Sequence, residues 1–275
     1  MAYHDILVLL DQFAHSTVRL DVASDLAGRH GARLIGLRVE IQPHVPGAIR
    51  SAIVAGALEA HADAVHADTA RIEATFRAAA DRRKVRGDWW VVREGGIGRV
   101  CELARYANLT VIGQAAPDAE EEFSGDELIH DLVLDSGRPV LVVPHTRLAQ
   151  HVGQRIAIAW NGSREASRAV ADAMPLLRRA QQVGVLLARG DDRGGSGDLI
   201  RDHLARNDVG AEILRVDAHA HDNDAGVALL AEADGFAADL LVMGAYGRSR
   251  MRELVLGGAT RHVLNHLPIP ALMSH

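Results

Sequence analysis

The chain has one cysteine among its 275 residues. A lone Cys101 can form no intrachain disulfide, and a four-cysteine zinc site is excluded. Long apolar runs are also missing. Near the start the longest is Ile6 to Leu10, far short of the roughly 20 residues that cross a bilayer, and no basic segment precedes it as in a signal peptide. A cytoplasmic protein without a membrane partner is expected. Positive charge is not in excess either. The formal net charge is −6, whereas affinity for a phosphate backbone comes from clustered Lys and Arg, so broad nucleic-acid binding is not expected. With 48% hydrophobic and 24% charged residues, the chain has the balance of a folded protein and not of a disordered one. At roughly 150 residues per domain, its length predicts about two domains.

What the chain does contain is a repeat of itself. Ile6-Leu7-Val8-Leu9-Leu10-Asp11 has a counterpart in Ile156-Ala157-Ile158-Ala159-Trp160-Asn161. Both are short apolar runs that end in Asp or Asn before a polar turn, the pattern of a buried strand leading into a helix. Ala107 to Gly113 matches Ala238 to Gly244, and Arg138 to Val142 matches Ile269 to Met273, both at an offset of 131 residues against 150 for the first pair. The first half therefore carries nineteen extra residues. They fit between Ser51 and about Arg83, where Leu58, Val65, Ile72 and Ala79 recur every seven positions and predict a long amphipathic helix. Most of that stripe reads as core, with an oligomer surface as the alternative for part of it. The polar stretch from His145 to Gln154 places a boundary near residue 150.

Each half then reads as five strands alternating with helices. The strands are expected at 5–11, 32–40, 88–94, 109–114 and 139–144, and again at 154–160, 182–188, 211–216, 239–244 and 269–273. Such alternation gives an α/β fold of two tandem Rossmann-like domains, each a five-stranded parallel sheet flanked by helices. Ligands of such sheets sit at the carboxyl ends of the strands, where strand order reverses, so the loops after strands one and four should carry the chemistry.

After Met243 the second half reads Gly244-Ala245-Tyr246-Gly247-Arg248 and continues to Gly257-Gly258-Ala259-Thr260. Gly244 and Gly247 allow a tight turn with exposed N–H groups, and Gly257 and Gly258 open a helix whose free N–H groups and dipole favour an anion. Arg248, Arg250 and Arg252 add positive charge, and the Thr260 hydroxyl is a further donor. Glycines also end strands and start helices without binding anything, so the spacing matters. Gly-x-x-Gly, nine residues, then Gly and a small residue resembles the nucleotide loop of the universal stress protein family. A polar residue ending strand one (Asn161) and a closing strand rich in proline (Pro268-Ile269-Pro270) are similar too.

The resemblance covers both halves and implies a tandem universal stress protein, with adenine nucleotide alpha hydrolase-like domains at 1–150 and 151–275. It implies that Ala159, Trp160 and Asn161 border the adenosine of ATP or AMP and that main chain near Ala188 reads the adenine edge. Met243 and Gly244 would lie along the ribose, and Gly247, Arg248, Gly257, Gly258, Ala259 and Thr260 would wrap the phosphates, with Mg2+ arriving alongside ATP. Two positions depart from the family: its usual Asp is Asn161 here, and its usual Ser or Thr after the third glycine is Gly258. The second change removes a hydroxyl donor, worth on the order of 1 kcal/mol. The final strands, 139–144 and 269–273, would pack the halves into an internal pseudo-dimer, and a homodimer through a sheet edge or the 51–83 helix stays open.

The first half lines up with this loop without gaps and differs from it. Gly113 matches Gly244, but Ala116 stands for Gly247, Asp126 for Gly257 and Glu127 for Gly258. Asp118, Glu120, Glu121, Glu122, Asp126 and Glu127 put six carboxylates there without a Lys or Arg, which repels a polyphosphate. The loop itself reads as a solvated surface turn, with a regulatory or partner-docking role as the alternative. A degenerate first domain and one site per chain are expected.

Other motifs read as structure. Gly95-Gly96-Ile97-Gly98 is a strand-to-helix turn, because the third glycine of a dinucleotide fingerprint would fall on Cys101. Among fifteen histidines none forms His-Glu-x-x-His, and His61 and His66 stand five apart, so no dedicated metal site is expected. Cys101 reads as a packing residue. The function expected is a nucleotide-binding stress-response or signalling module acting on an unidentified protein partner, with a slow ATPase and an interaction protein whose site has decayed as the alternatives. No catalytic residue is assigned: Glu253 and His262 are near in sequence, but Glu253 should face solvent or Arg250, and neither a Gly-x-x-x-x-Gly-Lys loop nor a magnesium-binding Asp is evident.

Overall fold

Apolar runs bounded by turns give ten strands, and the computed structural model describes them within residues 2–40, 52–114, 126–145, 151–188, 194–216, 222–245 and 258–275. In the first half they are β1 (Asp5–Leu10), β2 (Arg33–Val39), β3 (Gly87–Val92), β4 (Leu109–Gly113) and β5 (Val140–Val143). Between them run α1 (Ser16–His30), α2 (Ala52–Arg83), α3 (Gly96–Ala104) and α4 (Asp126–Asp135). The second half contributes β6 (Arg155–Trp160), β7 (Gln182–Ala188), β8 (Glu212–Val216), β9 (Leu240–Gly244) and β10 (Ala271–Ser274). Its helices are α5 (Arg164–Leu177), α6 (Ser196–Ala205), α7 (Asp222–Gly235) and α8 (Gly258–Asn265). Strand positions agree with the sequence reading within two residues at every end. The expected boundary at residue 150 lies outside the described residues.

All ten strands join one sheet in the order β3-β2-β1-β4-β5-β10-β9-β6-β7-β8. Within each half the five strands pair in parallel, as expected. The difference from two separate parallel sheets lies at the centre, where β5 and β10 pair antiparallel with Leu141 opposite Leu272. Both strands are only four residues long and wholly buried, so pairing them satisfies edge N–H and C=O groups that would otherwise be left open. The sheet is therefore mixed, with one crossover point between β1 and β4 and another between β6 and β9.

Two hydrophobic cores cover its faces. One gathers Leu26 of α1, Phe76 of α2, Ala173 of α5 and Leu204 of α6 against Ile6, Leu141, Leu272 and Ile158. The other gathers Cys101 of α3, Leu132 of α4, Ala233 of α7 and Leu264 of α8 against Leu7, Val142, Met273 and Ala157. Each core runs through both halves. Burial, with Asp131 and Asp135 adding to it, pushes the Cys101 thiol up to about 11, in keeping with a packing residue. Gly95 (φ 89°) and Gly96 (φ 52°) form the turn into α3, as the sequence predicts.

The heptad stripe of α2 divides in two: Ile72 and Ala79 are buried, whereas Leu58 and Val65 are half-buried. Phe76, which the stripe did not include, is fully buried against Trp89 at a ring-centroid distance of 5.4 Å. Among the described residues no helix is long and apolar enough to cross a membrane.

Candidate functional site

The carboxyl ends of β9, β6 and β7 form the candidate site, because register brings the expected residues side by side. Ala159 pairs with Met243, and Trp160 with Leu187, one residue before Ala188. Ala159, Trp160, Ala188 and Gly244 are half-buried, Asn161 is exposed and Met243 is buried at 5%, so these strand ends are in part accessible. The crossover β9-α8-β10 is parallel, so α8 runs back along the sheet and its first turn, Gly258, Ala259 and Thr260, starts at the same edge. Gly258 and Ala259 are half-buried, while Thr260 is buried at 6%. Its hydroxyl is thus less accessible than the sequence alone implies. Gly247, Arg248 and Gly257 lie outside the described residues, as do Arg250, Arg252 and Glu253.

Asn161 makes a local turn, its side-chain oxygen accepting from the Ser163 N–H at 3.1 Å. Ser163 then caps α5, its hydroxyl accepting from Ala166 N–H. In the first half Asp11 makes the same turn, accepting from the Phe13 N–H at 3.0 Å. Turn geometry therefore accepts either residue, and Asn161 keeps the turn without the negative charge.

Gly244 has a packing duty. A Cβ there would stand 2.8 Å from the Glu165 Cβ and closer still to the Ala166 backbone nitrogen, so the start of α5 presses directly on the strand end. Its φ is not positive. Close approach is what requires glycine at this position; the turn expected from Gly244 to Gly247 runs outside the described residues.

Three residues that the sequence reading passed over belong to this region. Glu165, 4% exposed, sits in the first turn of α5. Burial alone would raise its pKa, but the hydrogen bond from Arg164, together with its own backbone N–H and Ser163, holds the carboxyl below its ordinary value. A positive helix terminus favours the same ionised form. Ser196 opens α6 and accepts a hydrogen bond from the Trp160 indole nitrogen at 2.8 Å. Gly162, at φ 71°, turns the chain between them. The Asn-Gly pair at 161–162 is a readable turn signal, whereas contacts such as Trp160 to Ser196 leave no mark in sequence spacing.

The corresponding place in the first half is filled. Leu9 and Leu10, which stand where Ala159 and Trp160 stand, are buried. Arg19, 2% exposed, reaches from α1 to pair with Asp11, and its guanidinium occupies the space beside Gly113 where a Cβ would project. At an offset of 150 residues its counterpart is Ala169, which leaves no such side chain. Gln114 is also buried, its amide nitrogen donating to the Leu264 carbonyl of the other half at 2.7 Å. Of the acidic loop, only Asp126 and Glu127 fall among the described residues.

His262, a candidate base by sequence, lies against α7, where a Cβ on Gly226 would stand 2.8 Å from the His262 Cβ. Its ring stacks on His266 at 4.2 Å. Burial, and then the His266 charge, lower its pKa. Among the described residues no group of three or more His, Cys, Asp or Glu side chains could hold a metal ion.

Residues 153–275 match the family model described as the universal stress protein family. Among solved structures, a universal stress protein from Archaeoglobus fulgidus DSM 4304 superposes with a TM-score of 0.75 at 12% identity, covering 98% of this chain and 97% of that one. A functionally unknown protein from Pseudomonas aeruginosa PAO1 gives a TM-score of 0.59 at 15% identity over 99% of this chain and 92% of that one. No curated protein matches the chain in sequence. At these identities the superpositions carry the fold alone: residues 153–275 are similar to the universal stress protein family, within a whole-chain fold shared with a universal stress protein of similar length.

Proposed function

We propose that the chain binds one adenine nucleotide, ATP or AMP, in its second half, and works as a nucleotide-responsive stress or signalling module for a protein partner. The observation that carries this reading is the contrast between the halves. At the end of β6 Ala159 and Trp160 are half-buried and Asn161 is exposed, while at the end of β1 the counterparts Leu9 and Leu10 are buried and Arg19 fills the space beside Gly113. In this reading Ala159, Trp160, Asn161, Ala188, Met243 and Gly244 line the nucleoside. Gly247, Arg248, Gly257, Gly258, Ala259 and Thr260 hold the phosphates at the start of α8, where unpaired N–H groups favour an anion. Mg2+ would enter on the phosphates of ATP. Residues 1–150 act as a domain that supports the site without sharing its chemistry, and a reducing cytoplasm suits the single buried thiol of Cys101.

The test begins with protein purified without added nucleotide and then denatured, so that any released small molecule is identified by mass. Melting curves with ATP and AMP follow. About one adenine nucleotide per chain is expected, and a ligand at 100 times its dissociation constant adds about 2.7 kcal/mol. Replacing Gly247 and Gly257 together by Val abolishes binding if backbone N–H groups meet the phosphates, and Ala116→Gly in the first half leaves it unchanged. Undiminished affinity in the double valine variant would sink the assigned loop, and neither released nucleotide nor a melting shift would leave an interaction protein.

A further inference from the structure

Trp160 ends β6 and is half-buried, one side of it packed against the core beneath α5 and α6, whereas its first-half counterpart, Leu10, is buried at 2%. Its indole nitrogen donates to the Ser196 hydroxyl at 2.8 Å, a bond between residues 36 apart in sequence. We propose that Ser196 positions Trp160 as the base-side wall of the second-half crevice, and that the braced indole favours a purine ring; this rests on the nucleotide reading above.

Several features converge on Ser196. Gly194 (φ 65°) and Gly195 (φ 75°) turn the chain sharply into α6, and Gly195 supplies no side-chain cap. Their left-handed conformation is one that bulkier residues resist, so the turn delivers the Ser196 hydroxyl to the strand ends. From the other side, Gly162 brings the loop after β6 so close that a Cβ on it would stand 3.6 Å from the Ser196 oxygen. The two loops meet at this hydroxyl.

An indole has one donor and no acceptor. With that donor taken by Ser196, the ring meets a ligand only through its π face and edge, which suits a flat aromatic base and not a phosphate or a sugar hydroxyl. Base–aromatic stacking is tolerant of base identity but grows with ring area, so a purine gains more than a pyrimidine. Ser196 would act only through Trp160 and is a positioning residue.

The experiment measures ATP, CTP and inorganic tripolyphosphate binding by calorimetry in the wild-type chain and in Ser196→Ala, Ser196→Thr and Trp160→Ala variants. Trp160 emission is read as the difference between each protein and its Trp160→Phe version. ATP is expected to bind more tightly than CTP. Ser196→Ala weakens ATP by about 3- to 10-fold, the loss of one hydrogen bond, alters Trp160 emission and leaves tripolyphosphate unchanged. Ser196→Thr, which keeps the hydroxyl, restores both, and Trp160→Ala weakens ATP by about tenfold or more.

If Ser196→Ala binds ATP and emits as the wild type does, or weakens tripolyphosphate equally, the positioning role is overturned while nucleotide binding stands. If wild-type protein binds tripolyphosphate as tightly as ATP, there is no base wall. Should it bind none of the three, the nucleotide reading fails and this proposal with it.

Discussion

Arg19 and Asp11 show how one residue separates two otherwise similar halves. Their ion pair is nearly sealed from water, with side-chain exposures of 3% and 15%. Removing one partner of such a pair leaves a buried charge uncompensated and costs about 3–5 kcal/mol. Arg19→Ala should therefore destabilise the chain by that order in urea unfolding, and Asp11→Asn combined with it should recover part of the loss. Simple additivity of the two changes would remove the pair as the filler of the first-half crevice.

Gly244→Ala is expected to cost about 1–3 kcal/mol through overpacking against the α5 backbone. Gly113→Ala meets only the end of the Arg19 side chain and should cost less. Equal costs would contradict the packing duty assigned to Gly244.

His30 supplies the pH dependence. Burial, with Arg179 and Arg29 adding to it, pushes its pKa down from 6.5 to about 4. Below pH 6.5 the unfolded chain takes up a proton that the folded chain refuses until about pH 4. The stability contribution is complete above pH 6.5 and is lost as pH falls through that window. His30→Phe keeps a ring beside Tyr3, which His30 meets at 5.0 Å, and should flatten the melting temperature between pH 4 and 6.5. A variant whose acid slope matches the wild type would show that another group carries it.

Among the elements, α2 is where periodicity alone was least complete. A seven-residue repeat of Leu58, Val65, Ile72 and Ala79 finds the helix, but of these four only Ile72 and Ala79 are buried, with Phe76 and Ala80 joining the buried face. The heptad pattern tells which side of a helix is apolar, not how much of its length meets the core. Phe76→Ala should cost about 3–5 kcal/mol and Val65→Ala well under that. Thermal melts of the two variants decide it, and similar losses would mean that the whole stripe is core. The start of α8 is better determined from sequence, because the Gly257–Gly258 pair marks it and the helix does begin at Gly258.

At the scale of the molecule, the two halves share both hydrophobic cores and one sheet. Tyr3 of the first half donates to the Asp172 carbonyl of the second at 2.9 Å, Arg29 to the Val152 carbonyl, and Gln114 to the Leu264 carbonyl. Such sharing predicts a single cooperative unfolding transition, with Trp89 and Trp90 reporting on one half, Trp160 on the other, and far-ultraviolet dichroism on both. Two separated transitions would mean that the halves stand alone. At the same scale, calorimetry is expected to give one nucleotide per chain, and two would overturn the distinction between the crevices.

The ten strands, the repeat and the fold class were legible in the amino-acid sequence, because alternation of apolar runs with amphipathic segments is a local property. The sequence also placed Ala159, Trp160, Met243 and Gly244 near one another once parallel pairing was assumed. Tertiary structure decided the rest. That β5 and β10 join the halves antiparallel, that Arg19 fills one crevice, that Gly244 yields to α5 and that Ser196 holds Trp160 all depend on contacts between distant residues. Sequence periodicity reports which face of an element is apolar; which side chain arrives at a given strand end is settled only when the sheet order brings the two chain segments together.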